Sequence, residues 1–335
     1  MNPLLLNRNV FIFLFVESVA AAAVLLSLFV VVRLLLRWDF QSFTPRQYRL
    51  EKEAYLVMSA IGMVFAFKLV LLPYFIFTID ALSEIVPGAM CAAGVISFNR
   101  YGLWLLALKP VILFLLTLWM VINRYDLDAG NYPWFRLKHG LFVVIFLLIA
   151  WELLLDFRFF ESIDVHAVLN CCSTLYGLLE GMNPLPFGLD ITVLVALFYA
   201  TWLLILSTRA ARMDVLHAAA LLLFGYLAYY AVLYFFGTYI YEAPEHNCPF
   251  CMFQRDYRYV GYPLWGTLAG GVFLGLGAVF AERVLKADAS KLHRISLWLI
   301  GAFVLLCSFY VAHYYYANGT FLQPGGGEIR MSMPM

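Results

Sequence analysis

Residues 10–36 read VFIFLFVESVAAAAVLLSLFVVVRLLL, an apolar run long enough to cross the hydrocarbon core of a bilayer as a helix. Seven further runs of the same character follow. They occupy residues 54–79, 101–123, 139–157, 189–207, 214–237, 260–281 and 295–316. Because lipid cannot satisfy the hydrogen bonds of an open backbone, the sequence predicts an all-α polytopic membrane bundle of about eight transmembrane helices.

The composition of the 335-residue chain excludes several classes of soluble protein. Hydrophobic residues make up 64% of the chain and charged residues 13%, whereas soluble globular domains carry about 25% charged residues. The 22 basic and 21 acidic side chains leave a net charge of +1, so the chain has no strong field that would attract a polyanion. A soluble enzyme, a disordered chain and a nucleic-acid-binding protein are thereby excluded.

The distribution of basic residues predicts the orientation in the lipid bilayer. Fourteen of the 22 Lys and Arg residues fall in the loops 33–53, 124–138, 208–213 and 282–294. Because basic loops favour the cytoplasmic side, both termini are expected outside. The predicted organisation is an N-terminal four-helix half at 1–188, a C-terminal four-helix half at 189–316 and a flexible outer tail at 317–335.

Five of the six cysteines fall in the predicted outer loops. Cys91 lies in the first loop, Cys171 and Cys172 in the second, and Cys248 and Cys251 in the third. An outer compartment permits disulfides, whereas the cytosol keeps thiols reduced. Cys171 and Cys172 are adjacent in sequence, and adjacent cysteines are poorly placed to form a disulfide with each other. We expect Cys91 to form a disulfide with either Cys171 or Cys172, and the other of these two to exchange with Cys248 or Cys251. The alternative is a disulfide of Cys91 that only fixes the loops in place.

The string Cys248-Pro-Phe-Cys251 is typical of a reducible disulfide in which one sulfur can act as the attacking thiolate. Gln254 and Arg255 follow directly, just before a span. An arginine there can lower the pKa of a thiol and can hydrogen-bond a quinone carbonyl, although simple placement at the interface also explains it. His246 can steady a thiolate or accept a proton, and interfacial placement is again the alternative.

The sequence Cys248-Pro-Phe-Cys251-Met-Phe-Gln-Arg255 resembles the C-x-x-C-x-x-Q-R signature of the bacterial disulfide bond protein B family, and the resemblance extends over residues 215–316. Vitamin K epoxide reductase homologues have a related architecture. The resemblance implies a bacterial inner-membrane enzyme that oxidises a periplasmic thioredoxin-like partner and reduces a quinone. It also implies that Cys248 and Cys251 are the quinone-proximal pair and that Arg255, together with Gln254 and His246, lies at the quinone.

The family places a second cysteine pair in the outer loop after its third helix. The corresponding tail after residue 316 has no cysteine. A shuttle pair must therefore come from Cys91, Cys171 or Cys172.

Two other functions stay open. A soft-metal handler, for copper or a similar ion, would use thiolates and thioethers. Suitable ligands are Cys248, Cys251, His246, Met252, Met331, Met333 and Met335. A non-catalytic subunit of an envelope complex, in which disulfides stabilise a docking surface, is the other alternative. We assign no residue as a metal ligand.

Charged residues also occur within the predicted spans. Glu17, Lys68 and Lys109 lie at comparable depths, roughly 12–17 Å below the outer surface. Charges in a membrane are costly and usually face a partner or a cavity. Further acidic residues near the outer ends of the fourth and fifth spans are Glu152, Asp156 and Asp190. These residues predict a polar pocket that opens outward, with a Glu17–Lys68 or Glu17–Lys109 ion pair, or alternatively a proton path or polar substrate site.

Aromatic side chains concentrate at the predicted outer interface. They include Tyr239, Tyr241, Tyr257, Tyr259, Tyr262, Trp265, Tyr314, Tyr315 and Tyr316. We expect most of them to form an aromatic belt at the membrane surface, and some to wall a quinone ring beside Arg255. Cys307, in the last span, is expected to be a small buried apolar residue.

Overall fold

The computed structural model describes residues 3–38, 44–129, 131–164, 185, 188–244 and 246–322. Helix is the dominant structure, and no strand occurs in these ranges. Eight of the described helices are long and apolar enough to cross a membrane. The prediction of an all-α, multi-pass membrane protein is therefore confirmed, while the side on which the termini lie stays a prediction.

The eight long helices follow the predicted apolar runs in order, and one short helix lies between the second and the third of them. In chain order they are α1 (Arg8–Arg37), α2 (Pro45–Leu82), the short α3 (Ala92–Ile96), α4 (Arg100–Asp128), α5 (Phe135–Glu161), α6 (Ile191–Ala210), α7 (Asp214–Tyr241), α8 (Gly261–Arg283) and α9 (Ser290–Asn318). Helix α7 contains one π-helical turn, Val232–Phe236.

Helix α2 begins well before the predicted start near residue 54. The Thr44 hydroxyl accepts a hydrogen bond from the Gln47 amide at 3.4 Å, and Pro45 occupies the first helical position. Both features favour a helix start. Leu50 then packs with Leu34 and Phe135 in a small apolar cluster. The polar turns ahead of the apolar run are thus helical because capping and packing stabilise them.

The chain divides into two compact units. The first comprises Met1–Pro87, Val95–Val168 and Phe280–Asp288. The second comprises Gly88–Gly94, Leu169–Val279 and Ala289–Met335. Cys91, which the sequence places in the N-terminal half, thus belongs to the same unit as Cys248 and Cys251.

The first unit is a four-helix bundle. Helix α1 packs against α2 and α5, and α4 packs against α5 and α2. Its apolar core includes Phe65, Trp119 and Phe142, and the rings of Phe65 and Trp119 meet edge to face at 5.0 Å between centroids. The indole of Trp119 donates a hydrogen bond to the Lys138 carbonyl at 2.9 Å, so its one polar atom is satisfied within the bundle.

In the second unit, the Phe198 ring on α6 contacts Phe224 and Phe236 on α7 and Phe303 on α9. Helices α8 and α9 approach closely at Gly271, where a Cβ atom would lie 2.7 Å from Ile300 Cγ1. The Ser296 hydroxyl of α9 donates to the Gly271 carbonyl at 2.6 Å. Close packing through glycine with a polar interhelical bond is typical of membrane helices.

The start of the predicted flexible tail is ordered. Helix α9 ends at Asn318, and Gly319 adopts a left-handed conformation with φ of 70° that ends the helix. The Tyr239 hydroxyl then donates to the Leu322 carbonyl at 3.1 Å. Residues 323–335 lie outside the described part of the chain.

Candidate functional site

Three cysteines of the second unit form a compact sulfur cluster, which we define as Cys91, Cys248 and Cys251. Their Sγ atoms all lie within 4.8 Å of one another. The Sγ atoms of Cys91 and Cys248 are 3.6 Å apart, which is a thiol–thiol contact and longer than the ~2.05 Å of a disulfide bond. All three side chains are buried. Residues that are 157 positions apart in the sequence are thus brought into direct contact.

Tyr241, the last residue of α7, holds the C-x-x-C segment in place. Its hydroxyl donates to the Cys248 carbonyl and accepts a hydrogen bond from the Met252 amide at 3.1 Å. The side chain is only 8% exposed. Tyr241 was among the aromatic residues expected near the outer interface; in the structure its hydroxyl satisfies two backbone groups inside the unit, and its position relative to the membrane surface stays a prediction.

Gln254 connects the C-x-x-C segment to the segment that carries Cys91. Its side-chain amide donates to the Met90 carbonyl at 3.1 Å, next to Cys91. In the structure its amide links the two segments that carry the sulfurs, and the contact of Gln254 with a quinone stays a prediction. Nothing in the sequence pairs Gln254 with Met90, since a backbone carbonyl as acceptor leaves no signal in the sequence.

Arg255 and His246 occupy different environments near the cluster. The Arg255 side chain is exposed. The His246 ring packs edge-on against Tyr241, with centroids 4.3 Å apart, and its Nε2 atom is buried without a hydrogen-bond partner in the described ranges. Burial lowers the pKa of His246 below its usual value, so the neutral imidazole is favoured.

The remaining cysteines are distributed as follows. Cys307 is fully buried within α9, which confirms its expected role as a small apolar residue. Cys171 and Cys172 lie outside the described residues, and their pairing with Cys91 stays a prediction.

The geometry of the sulfur cluster permits thiol–disulfide exchange. In this reaction a thiolate attacks one sulfur of a disulfide and releases the other. Cys248 is central, because it contacts Cys91 and is also joined to Cys251 through the C-x-x-C spacing. Three sulfurs at these separations can also supply the thiolate ligands of a soft metal ion. The geometry of the sulfur cluster is thus compatible with thiol–disulfide exchange and with binding of a soft metal ion.

We expect the Tyr241→Phe substitution to loosen the sulfur cluster. It removes the hydroxyl that bridges the Cys248 carbonyl and the Met252 amide, and an unsatisfied buried polar group costs about 1–3 kcal/mol. Thermal unfolding should show that loss, and alkylation of Cys248 and Cys251 in the folded protein should become faster. Tyr316→Phe is the matched control, since Tyr316 is 92% exposed; equal alkylation rates in both variants would contradict the role of Tyr241.

The first unit contains a second polar cluster, the ion network, which we define as Glu17, Lys68, Lys109, Glu152 and Asp156. The Lys68 ammonium lies 2.7 Å from Glu17 Oε2 and 2.6 Å from Glu152 Oε2. The Lys109 ammonium lies 2.8 Å from Glu152 Oε1 and 3.1 Å from Asp156 Oδ2. All five side chains are buried. The network therefore connects all four helices of the bundle.

The predicted Glu17–Lys68 pair is present, and Lys109 pairs with Glu152 and Asp156 rather than with Glu17. Asp190 is exposed and caps α6 by accepting a hydrogen bond from the Thr192 amide at 3.1 Å. Asp190 thus serves as a helix cap and is not a member of the ion network. A small cavity remains beside Glu17, Lys68, Lys109 and Glu152, about the size of one water molecule.

Comparison of the chain with protein-family models, with curated proteins and with solved structures finds no match.

Proposed function

We propose that the chain is a membrane thiol–disulfide oxidoreductase, in which the sulfur cluster carries electrons from an outer thioredoxin-like dithiol to a membrane quinone. The observation that carries this proposal is that three buried sulfurs from two separate segments of the second unit lie within 4.8 Å of one another, with Cys91 and Cys248 in contact. The resemblance of residues 248–255 to the disulfide bond protein B signature supports the quinone as acceptor. The proposed setting is a bacterial inner membrane with the cysteine segments facing the periplasm.

Within the sulfur cluster, the proposed cycle balances in three steps. The partner dithiol reduces a Cys91–Cys248 disulfide, which leaves the partner oxidised and all three cysteines as thiols. Cys248 and Cys251 then lose two electrons and two protons to the quinone, which forms a quinol and the Cys248–Cys251 disulfide. Finally the Cys91 thiolate attacks Cys248, the Cys91–Cys248 bond forms, and Cys251 leaves as a thiolate.

Roles for the neighbouring residues follow from their positions. The exposed, cationic Arg255 is available to hydrogen-bond a quinone oxygen. The neutral His246 can accept a proton released as the thiols are oxidised. Because the sulfur cluster is buried, a partner reaches it only when the segment moves or through a relay, and Cys171 and Cys172 are the proposed relay.

The direct test is quinone reduction by the full chain in lipid nanodiscs. A reduced thioredoxin-like protein serves as donor, and a short-chain ubiquinone or menaquinone as acceptor, with quinol formation followed without oxygen. We expect turnover by the native chain and by Cys307→Ala, the matched buried control, and none above background by Cys248→Ala. Native-like turnover in Cys248→Ala, or none in the native chain with either quinone class, would refute the proposal.

A soft-metal site is the second candidate, because the three Sγ atoms lie within 4.8 Å of one another and thiolates are the ligands that an ion such as Cu(I) prefers. Metal analysis and Cu(I) titration of the purified chain separate the two functions. Stoichiometric metal that is lost in Cys91→Ala would favour metal handling. Turnover that persists after chelation would favour electron transfer.

A further inference from the structure

The ion network carries one more acidic group than basic groups. Its three carboxyl groups come from α1 and α5, and its two ammonium groups from α2 and α4. If every group were ionised, a net negative charge would be buried among helices that span a membrane. Such a charge is costly unless it is compensated, and one additional positive charge balances the network.

Asp156 is the least compensated of the three carboxyl groups. Both oxygens of Glu152 and one of Glu17 contact an ammonium at 2.6–2.8 Å, whereas the one contact of Asp156 is 3.1 Å long. Its other oxygen, Oδ1, is buried and has no hydrogen-bond partner among the residues that the structure describes. An ionised carboxylate distributes its charge over two oxygens that both require donors, so the neutral form fits Asp156 best.

We propose that the ion network is a proton-binding site within the membrane and that Asp156 holds the proton. The charged groups that face Asp156 are Lys109 from α4, Glu17 from α1, Lys68 from α2 and Glu152 from its own helix. With Asp156 neutral, two carboxylates balance two ammonium groups. This inference does not depend on the chemistry of the sulfur cluster.

A metal cation fits the site less well than a proton. Oxygens of Glu17, Glu152 and Asp156 lie within 4.8 Å of one another, a spacing that can hold an ion. However, the two ammonium groups already bind these oxygens and would repel a cation, and the adjacent cavity is only about the size of one water molecule. A hard cation also requires six or more oxygen ligands, as calcium does.

Infrared spectroscopy of the full chain in nanodiscs tests the proposal at neutral pH. We expect a carboxylic-acid carbonyl band that shifts in D₂O, shifts again when aspartate carboxyls are labelled with ¹³C, and is lost in Asp156→Asn. Asp128→Asn is the matched control, since Asp128 is solvent-exposed, and it should retain the band. Absence of the band, its persistence in Asp156→Asn, or its insensitivity to the aspartate label would overturn the assignment to Asp156.

Thermal unfolding gives a second, independent readout. Asparagine mimics a protonated aspartic acid, so Asp156→Asn should unfold at nearly the native temperature. Glu152→Gln removes two ammonium contacts and should lower Tm by about 10 °C. An equal loss of Tm in both variants would show that Asp156 is ionised in the native protein. A saturable rise in native Tm with added sodium or calcium, if Asp156→Asn abolishes it, would show that the site binds a cation rather than a proton. If Glu152→Gln fails to fold, the infrared result alone decides.

Discussion

Replacing Lys68 with methionine is expected to lower the free energy of unfolding by about 3–5 kcal/mol, the cost of removing one partner from a buried ion pair. Lys68 is 4% exposed and contacts Glu17 and Glu152 at 2.7 and 2.6 Å. Methionine has a similar length and no charge, so it leaves the Glu17 carboxylate without its ammonium partner. Denaturant unfolding of the chain in detergent micelles measures the difference.

Two further variants show whether charge is the cause of this destabilisation. Lys52→Met makes the same exchange at an exposed site on the same helix, and it should change stability by less than about 1 kcal/mol. Glu17→Gln in the Lys68→Met background removes the orphaned carboxylate and should restore part of the loss. A Lys68→Met protein as stable as the native chain would contradict the buried network.

Replacing Cys251 with alanine is expected to trap a Cys91–Cys248 disulfide and stop turnover. The two remaining sulfurs are 3.6 Å apart, so a small movement of either side chain forms the bond once an oxidant is present. Without Cys251, electrons from these thiols cannot reach the quinone through the C-x-x-C pair. Peptide mass spectrometry after oxidation with oxidised glutathione should identify this disulfide in nearly all molecules.

The controls for the trap are other cysteine substitutions. Cys307→Ala removes a buried thiol outside the sulfur cluster and should retain both turnover and reversible oxidation. Cys91→Ala should instead retain the Cys248–Cys251 disulfide, because that pair is local in sequence. An oxidised Cys251→Ala protein in which Cys91 and Cys248 never bond would show that the observed contact has no role in exchange.

The membrane-spanning helices were predictable from the sequence because each is marked by a long apolar run. Their polar extensions were not, since they depend on local interactions. The first turns of α2 need the Thr44 cap and the packing of Leu50. An apolar run in the sequence marks the part of a helix that lies in lipid. The helix continues beyond that run where a cap and side-chain packing stabilise its polar turns.

The candidate site was predictable in composition but only partly in geometry. The C-x-x-C spacing identified Cys248 and Cys251, whereas the contact with Cys91 depends on how two distant segments fold together. Depth along the helices predicted that Glu17 could meet Lys68. Depth alone does not fix the rotation of a helix about its axis, so the bridging position of Glu152 between two lysines was visible only in the structure.

Disulfide mapping of the native chain during redox cycling tests the central claim most directly. The chain in nanodiscs is poised with glutathione at a series of ratios, quenched with an alkylating reagent, digested and analysed for linked peptides. We expect two alternative linkages, Cys91–Cys248 and Cys248–Cys251, whose proportions change when a quinone is added. If these three cysteines stay as thiols at every ratio, or if one linkage stays fixed whether or not quinone is present, the sulfur cluster does not exchange electrons.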